Sequence, residues 1–138
     1  MENMRAEGVE SGALFNSLPI GVVYYNANGE VLTANSAANE ILGKTIAPGQ
    51  FCYDHNAKIL SLDGSDFSPE YHPCIVALRT GKPVNNVVMG IFHSLEKKYR
   101  WINVNAVPEF RDSKESPFRV YVTLQDVTEA ISIQQRLQ

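Results

Sequence analysis

Three runs in the last third of the chain read as strands, Val84 to His93, Tyr99 to Val107 and Phe118 to Gln125, and in the last two apolar and polar side chains alternate. A period of two marks a half-buried β-strand, and consecutive runs joined by short polar stretches pair antiparallel. The joints here are a charged turn around Glu96 and a polar loop from Arg111 to Pro117. A sheet with one apolar face needs a covering layer, and the earlier part of the chain must supply it.

It supplies helices and two more strands. Ala13, Leu14, Phe15 and Leu18 predict a short helix stopped by Pro19. Ile20 to Tyr25 is β-branched and aromatic, Asn26-Ala27-Asn28-Gly29 is a turn, and Glu30 to Ala34 is the return strand. Asn35-Ser36 offers an N-cap to a helix carrying Ala37, Ala38, Ile41 and Leu42, with Gly43 as its stop. Residues 44–69 are irregular, broken by Pro48-Gly49, Asp63-Gly64 and Pro69, and an irregular stretch of that length is often functional. Pro73 fits the first turn of a helix through Ile75, Val76 and Leu78, ended by Thr80-Gly81.

From Val127 the pattern becomes helical, with Val127, Ala130, Ile131 and Leu137 on one side. Ala130, Ile133 and Leu137 are spaced as in a coiled-coil seam. The helix reaches Gln138 without a closing glycine, as if cut within the element. The order predicts an α+β fold: a five-stranded antiparallel sheet with helices packed on one face and a C-terminal linker helix. Residues 1–13 read as a lead-in, 14–126 as the domain and 127–138 as the start of the linker helix.

At 138 residues the chain fits one domain able to bury roughly 68–70% of its unfolded surface. A net charge of −3 argues against nucleic acid as the main partner, because phosphate binding needs concentrated Lys and Arg. The densest basic group, Lys97, Lys98 and Arg100, falls in the expected hairpin turn. Two cysteines, Cys52 and Cys74, leave room for one bridge at most, and reduced thiols are the simpler reading. No run approaches the ~20 apolar residues of a membrane span, and the N-terminus lacks the apolar stretch of a signal peptide. The expectation is a cytoplasmic domain without membrane contact. Nucleophile-elbow, zinc-protease and P-loop motifs are missing, so the domain is not expected to be an enzyme. The carboxylates Asp54, Asp63, Asp66 and Glu70 read as solvated loop residues.

Several motifs in this order carry a family resemblance. Leu18-Pro19-Ile20-Gly21-Val22 is followed by Asn28-Gly29-Glu30-Val31, Asn35, Ala37-Ala38 and Ile41-Leu42-Gly43. Then come His72-Pro73, Ala77-Leu78, Thr80-Gly81-Lys82-Pro83-Val84, Arg100-Trp101-Ile102, Asn105-Ala106-Val107-Pro108 and Asp126-Val127-Thr128-Glu129. Together, from Leu14 to Glu129, they resemble the PAS sensory domains of bacterial and archaeal signalling proteins. Asn26 departs from the Asp often found there.

The resemblance implies a sensor that relays to an output domain in the same chain, foremost a histidine kinase of a two-component system. It implies a homodimer, and it gives Asp126 and Thr128 the role of tying the last strand to the linker. Alternation places Ile102 and Val104 on one face with Val122 and Leu124, towards Ile41, Ile75 and Leu78. With Val88 these line either a small-ligand pocket or a closed core. Trp101 and Tyr121 fall on the opposite face, as an aromatic patch for the N-terminal helix or a second subunit to cover.

The cofactor, if any, is left unassigned. Cys52 sits in Gln50-Phe51-Cys52-Tyr53, unlike the Asn-Cys-Arg-Phe type motif of flavin-binding relatives, which argues against flavin. His72 falls near the helix that carries a haem ligand in some relatives, but a capping or exposed role fits its place before Pro73 better. Cys52, His55, His72 and Cys74 offer zinc-type donors at an unfamiliar spacing, so no metal is expected. Two alternative readings remain: a ligand-free protein interaction domain, and a haem- or metal-binding redox sensor.

Overall fold

The computed structural model describes residues 12–53, 57–112 and 115–137. Helix α1 spans residues 12–17 and stops short of Pro19, which has no N–H to continue it. Strands β1 (Gly21–Asn26) and β2 (Val31–Ala34) form the first hairpin. In its turn Asn26 Oδ1 accepts from the N–H groups of Asn28 and Glu30, while Asn26 Nδ2 donates to Glu30 Oε1 at 3.0 Å. Only the amide can make that last bond, which gives the asparagine a reason to stand there.

Helix α2 (Ser36–Leu42) begins at the expected cap, and the cap does more than start a helix. Asn35 is fully buried and makes four side-chain bonds. Its Oδ1 accepts from Ala38 N and Val22 N, and its Nδ2 donates to the carbonyls of Phe15 and Ile20. One side chain thus fixes α1, β1 and α2 together. The helix ends at Gly43, whose φ of 68° is left-handed and whose missing Cβ would lie 2.5 Å from the His93 ring.

The remaining elements are β3 (Ile59–Leu60), a single turn at Pro69–Tyr71, α3 (Pro73–Thr80), β4 (Val84–His93), β5 (Lys98–Glu109), β6 (Arg119–Asp126) and α4 (Thr128–Arg136). The strands form one antiparallel sheet in the order β2-β1-β6-β5-β4-β3. The expected α+β class holds, with six strands rather than five. The added strand is only two residues long, too short to show a period, and pairs Ile59 with Ile91 and Leu60 with Gly90. Gly90 permits this crowding, because a Cβ there would sit 2.8 Å from the Trp101 ring and 3.2 Å from Leu60 Cβ.

The core lies between α2, α3 and one face of the sheet. Val23, Ala38, Cys74, Ala77, Met89, Ile102, Val104, Val120 and Val122 are all essentially inaccessible to solvent. The short side chains let the helices sit close. A Cβ on Gly21 would come within 2.9 Å of the Ala38 backbone. Most of the anticipated lead-in, residues 1–11, lies outside the described residues.

Candidate functional site

The helices and the inner face of the sheet do not close completely. Between them lies a cavity of about 90 Å³, lined by Tyr25, Leu42, Lys44, Cys52, Ala57, Ile59, His72, Met89, Ile91, Val104, Val122 and Leu124. Of the eight pocket residues expected from the sequence, Val104, Val122 and Leu124 line it. Ile102 is buried in the adjoining core, and Ile41 and Leu78 pack on the edge of that core. Ile75, half-buried on α3, is not among the lining residues.

Val88 is misplaced by the sequence reading. Strand β4 carries a bulge between Val84 and Val87, with Asn86 at φ 59°. A bulge inserts one residue and exchanges the faces beyond it. Val87, Met89 and Ile91 therefore share the inward side, where Met89 pairs with Ile102, and Val88 pairs with outward-facing Asn103.

The lining is more polar at one end than the sequence alone indicates. Tyr25, inward on β1 like Val23, is buried, and desolvation drives its phenol well above the usual range. His72 caps α3 by accepting the Cys74 N–H on Nδ1 at 3.2 Å, so its ring proton belongs on Nε2. It is buried rather than exposed, and burial lowers its pKa to about 4. Tyr53 meets its ring edge-on at 6.3 Å. Cys52 and Cys74 are free cysteines, the first half-buried in the cavity wall and the second fully buried in the core. This end of the cavity thus presents a neutral phenol, a neutral imidazole and a thiol. Alternation along β1 points to Tyr25, but no local pattern reveals that Cys52 joins it in the cavity wall.

A volume near 90 Å³ is far below the roughly 300–1,000 Å³ of sites for drug-sized ligands, and a haem macrocycle does not fit it. Among the described residues no three His, Cys, Asp or Glu side chains converge as a metal site, while His55 and Asp54 lie outside those residues. Asp63 caps its own turn by accepting from Ser65, Asp66 faces Lys58 at 3.8 Å, and Glu70 accepts from Ser68.

Beyond Leu124, β6 reaches the Asp126-Val127-Thr128 junction. Asp126 Oδ1 accepts the Thr128 N–H at 2.9 Å, and Asp126 Oδ2 meets Arg100 Nη1 at 2.7 Å. Trp101 on β5 completes the joint: its N–H donates to Thr128 Oγ1 and its carbonyl accepts from Val127 N. Burial opposes ionisation of Asp126, but the Thr128 and Arg100 contacts outweigh it and hold the carboxyl below the usual range. Arg100 also pairs with Glu96 in the β4–β5 turn. Next to it, His93 anchors the same turn to α2, with Nε2 on the Glu40 carbonyl and Nδ1 accepting from Glu96 N. Arg100, Glu96 and His93 extend the junction beyond the two residues read from the sequence.

Trp101 and Tyr121 share the outer face but not one patch. Tyr121 pairs with Val107, six residues from Trp101 along β5, or roughly 20 Å at strand rise. Tyr121 stacks on Tyr24, which meets Phe15 of α1, while Trp101 lies over Gly90.

A family model described as a PAS domain matches residues 12–86. No curated protein matches the sequence. Among solved structures, the PAS domain of a Colwellia psychrerythraea protein is similar at TM-score 0.59 and 15% identity, over 93% of this chain and 98% of that one. A sensory box histidine kinase/response regulator from Burkholderia thailandensis is similar at TM-score 0.59 and 13% identity, over 98% and 92%. VqmA bound to DPO is similar at TM-score 0.62 and 19% identity, over 91% of this chain and 60% of that one.

Proposed function

This chain belongs to the PAS domain family, and on that premise we propose that residues 14–126 are the sensory and dimerisation module of a cytoplasmic signalling protein. A small molecule in the cavity is the signal, and α4, opening the linker at 127–138, passes it to an output domain in the same chain. A histidine kinase is the favoured output, as in the similar Burkholderia protein. No catalysis is assigned to this domain.

One observation carries the reading: β6 does two jobs within five residues. Val122 and Leu124 line the cavity, and Asp126 grips the first turn of α4. A ligand that shifts β6 therefore acts directly on the junction, provided it binds the two junction states with different affinity. The lining favours a neutral ligand of few heavy atoms. Tyr25 and His72 are held uncharged, so the buried end offers hydrogen bonds and no ionic partner. VqmA, whose fold is similar, is bound to DPO in its solved structure.

The restricted volume favours a second reading, a domain that binds only protein. Native mass spectrometry of freshly purified chain separates the two. An adduct that is lost when Val122→Trp fills the cavity supports a ligand sensor. A bare mass throughout, with no binding from a library of small neutral molecules, supports the interaction domain.

A further inference from the structure

His93 closes β4 and is buried, with both ring nitrogens bonded. Nε2 lies 2.9 Å from the Glu40 carbonyl, which can only accept, so Nε2 carries the proton. Nδ1 lies 3.1 Å from the Glu96 N–H, which can only donate, so Nδ1 is bare. The fold therefore uses one tautomer of the neutral ring, and an imidazolium cannot keep both bonds. The Glu96 side chain leads onward: its carboxylate accepts from Arg100 Nε at 3.1 Å. Arg100 holds Asp126 at 2.7 Å, and Asp126 accepts the Thr128 N–H at the start of α4. Contacts thus run without a break from a buried imidazole to the β6–α4 junction.

We propose that His93 is a pH-sensitive latch whose protonation releases the Glu96 N–H, draws the Glu96 carboxylate from Arg100 and so alters the β6–α4 junction. One proton from solvent adds to Nδ1. Nδ1–H then meets the Glu96 N–H as donor against donor, and that bond is lost. Nε2 keeps the Glu40 carbonyl in a stronger, charge-assisted bond. The ring cannot retreat towards α2, because it fills the space beside Gly43, where a Cβ would lie 2.5 Å from it. The turn is the part able to move, and Leu95 in it is exposed. The Glu96 carboxylate, on the residue that loses its bond, supplies the acceptor that Nδ1–H then needs. Arg100 is left with Asp126 alone.

The charged groups on the elements around the ring are Glu40 on α2 with Lys44 beyond it, Glu96 and Lys97 in the turn, and Lys98 and Arg100 on β5. Of these only Glu40 and Glu96 bond the ring, each through its main chain. Arg100 holds the Glu96 carboxyl below the usual range, and Thr128 with Arg100 does the same for Asp126 despite its burial. Both therefore stay ionised across about pH 5 to 8, where a histidine ordinarily changes charge, and buried His72 stays neutral there. The latch needs no ligand in the cavity. Its use as a signal rests on the proposed relay through α4.

The test is an NMR titration of the intact chain from about pH 8 to about pH 5, following the His93 ring and the Glu96, Trp101 and Thr128 amides. Trp101 N–H donates to Thr128 Oγ1, so the last two amides report on the junction. All three amide resonances are expected to shift with the midpoint of the His93 ring. In His93→Gln that common step disappears. In Glu96→Gln the ring still takes up its proton, but Trp101 and Thr128 no longer follow. A His93 ring that stays neutral to the end of the titration overturns the proposal, and so does one that titrates while the three amides stand still. Junction amides that follow the ring unchanged in Glu96→Gln overturn it as well. If His93→Gln fails to fold, the Glu96→Gln comparison, at an exposed turn, decides the matter. These readouts lie within the domain, so a failed relay to the output leaves them unaltered.

Discussion

His72 serves as the N-cap of α3 and as part of the cavity wall, and both positions require its neutral form. Its pKa is about 4 in the fold against 6.5 for a free side chain. On acidification the unfolded chain takes up this proton first. The stability linked to His72 is therefore complete above pH 6.5 and falls as the pH descends to 4, by about 3 kcal/mol. Denaturant titrations between pH 7 and pH 4 should show that decline, and His72→Asn, which keeps a capping acceptor, should flatten it. Asn35→Ala should lower stability by roughly 3 kcal/mol in the same assay, since it strands buried groups on α1, β1 and α2. Asn35 was legible as a cap because the side chain and the helix it starts are adjacent. Its bonds to Phe15 and Ile20 were not, because they depend on how distant segments pack.

At the scale of elements, most boundaries follow from local chemistry. Asn35 and Gly43 bracket α2, Pro73 and Gly81 bracket α3, and alternation marks β5 and β6. Two features escape that chemistry. Strand β3 owes its existence to the partner groove at Gly90, and the β4 bulge exchanges the faces after Val84, turning Met89 inward in place of Val88. A single positive-φ asparagine at position 86 leaves no reliable trace in a hydrophobic pattern. Gly90→Ala tests the groove. A methyl group there collides with the Trp101 ring, and the change should lower stability by about 1–2 kcal/mol. Trp101 is the chain's one tryptophan, so a shift in intrinsic fluorescence should accompany the loss. An unchanged spectrum would mean that Trp101 is not held over Gly90.

At the scale of the whole molecule, the sheet connects a small cavity to a helix with little packing of its own. Helix α4 has no buried residue, and Ile133 and Leu137 are exposed. These positions fit a seam with a second copy. If the proposed homodimer forms through this seam, Ile133→Glu should shift the chain towards monomer in sedimentation velocity while leaving the pH 7 unfolding midpoint unchanged; an association state that Ile133→Glu leaves unchanged would contradict a seam here. The fold was readable because several weak motifs occur in one order over most of the chain. The cavity was not, because its shape and polarity arise only when Tyr25, Cys52 and His72 come together in the fold.

The central claim is that β6 couples the cavity to α4 through Asp126. Asp126→Ala in the full-length protein tests it most directly, with output activity measured with and without the signal alongside amide exchange at the start of α4. Loss of the Thr128 and Arg100 contacts should speed exchange there and should abolish or lock the signal response while the fold persists. Unchanged output together with an unchanged response would contradict the account.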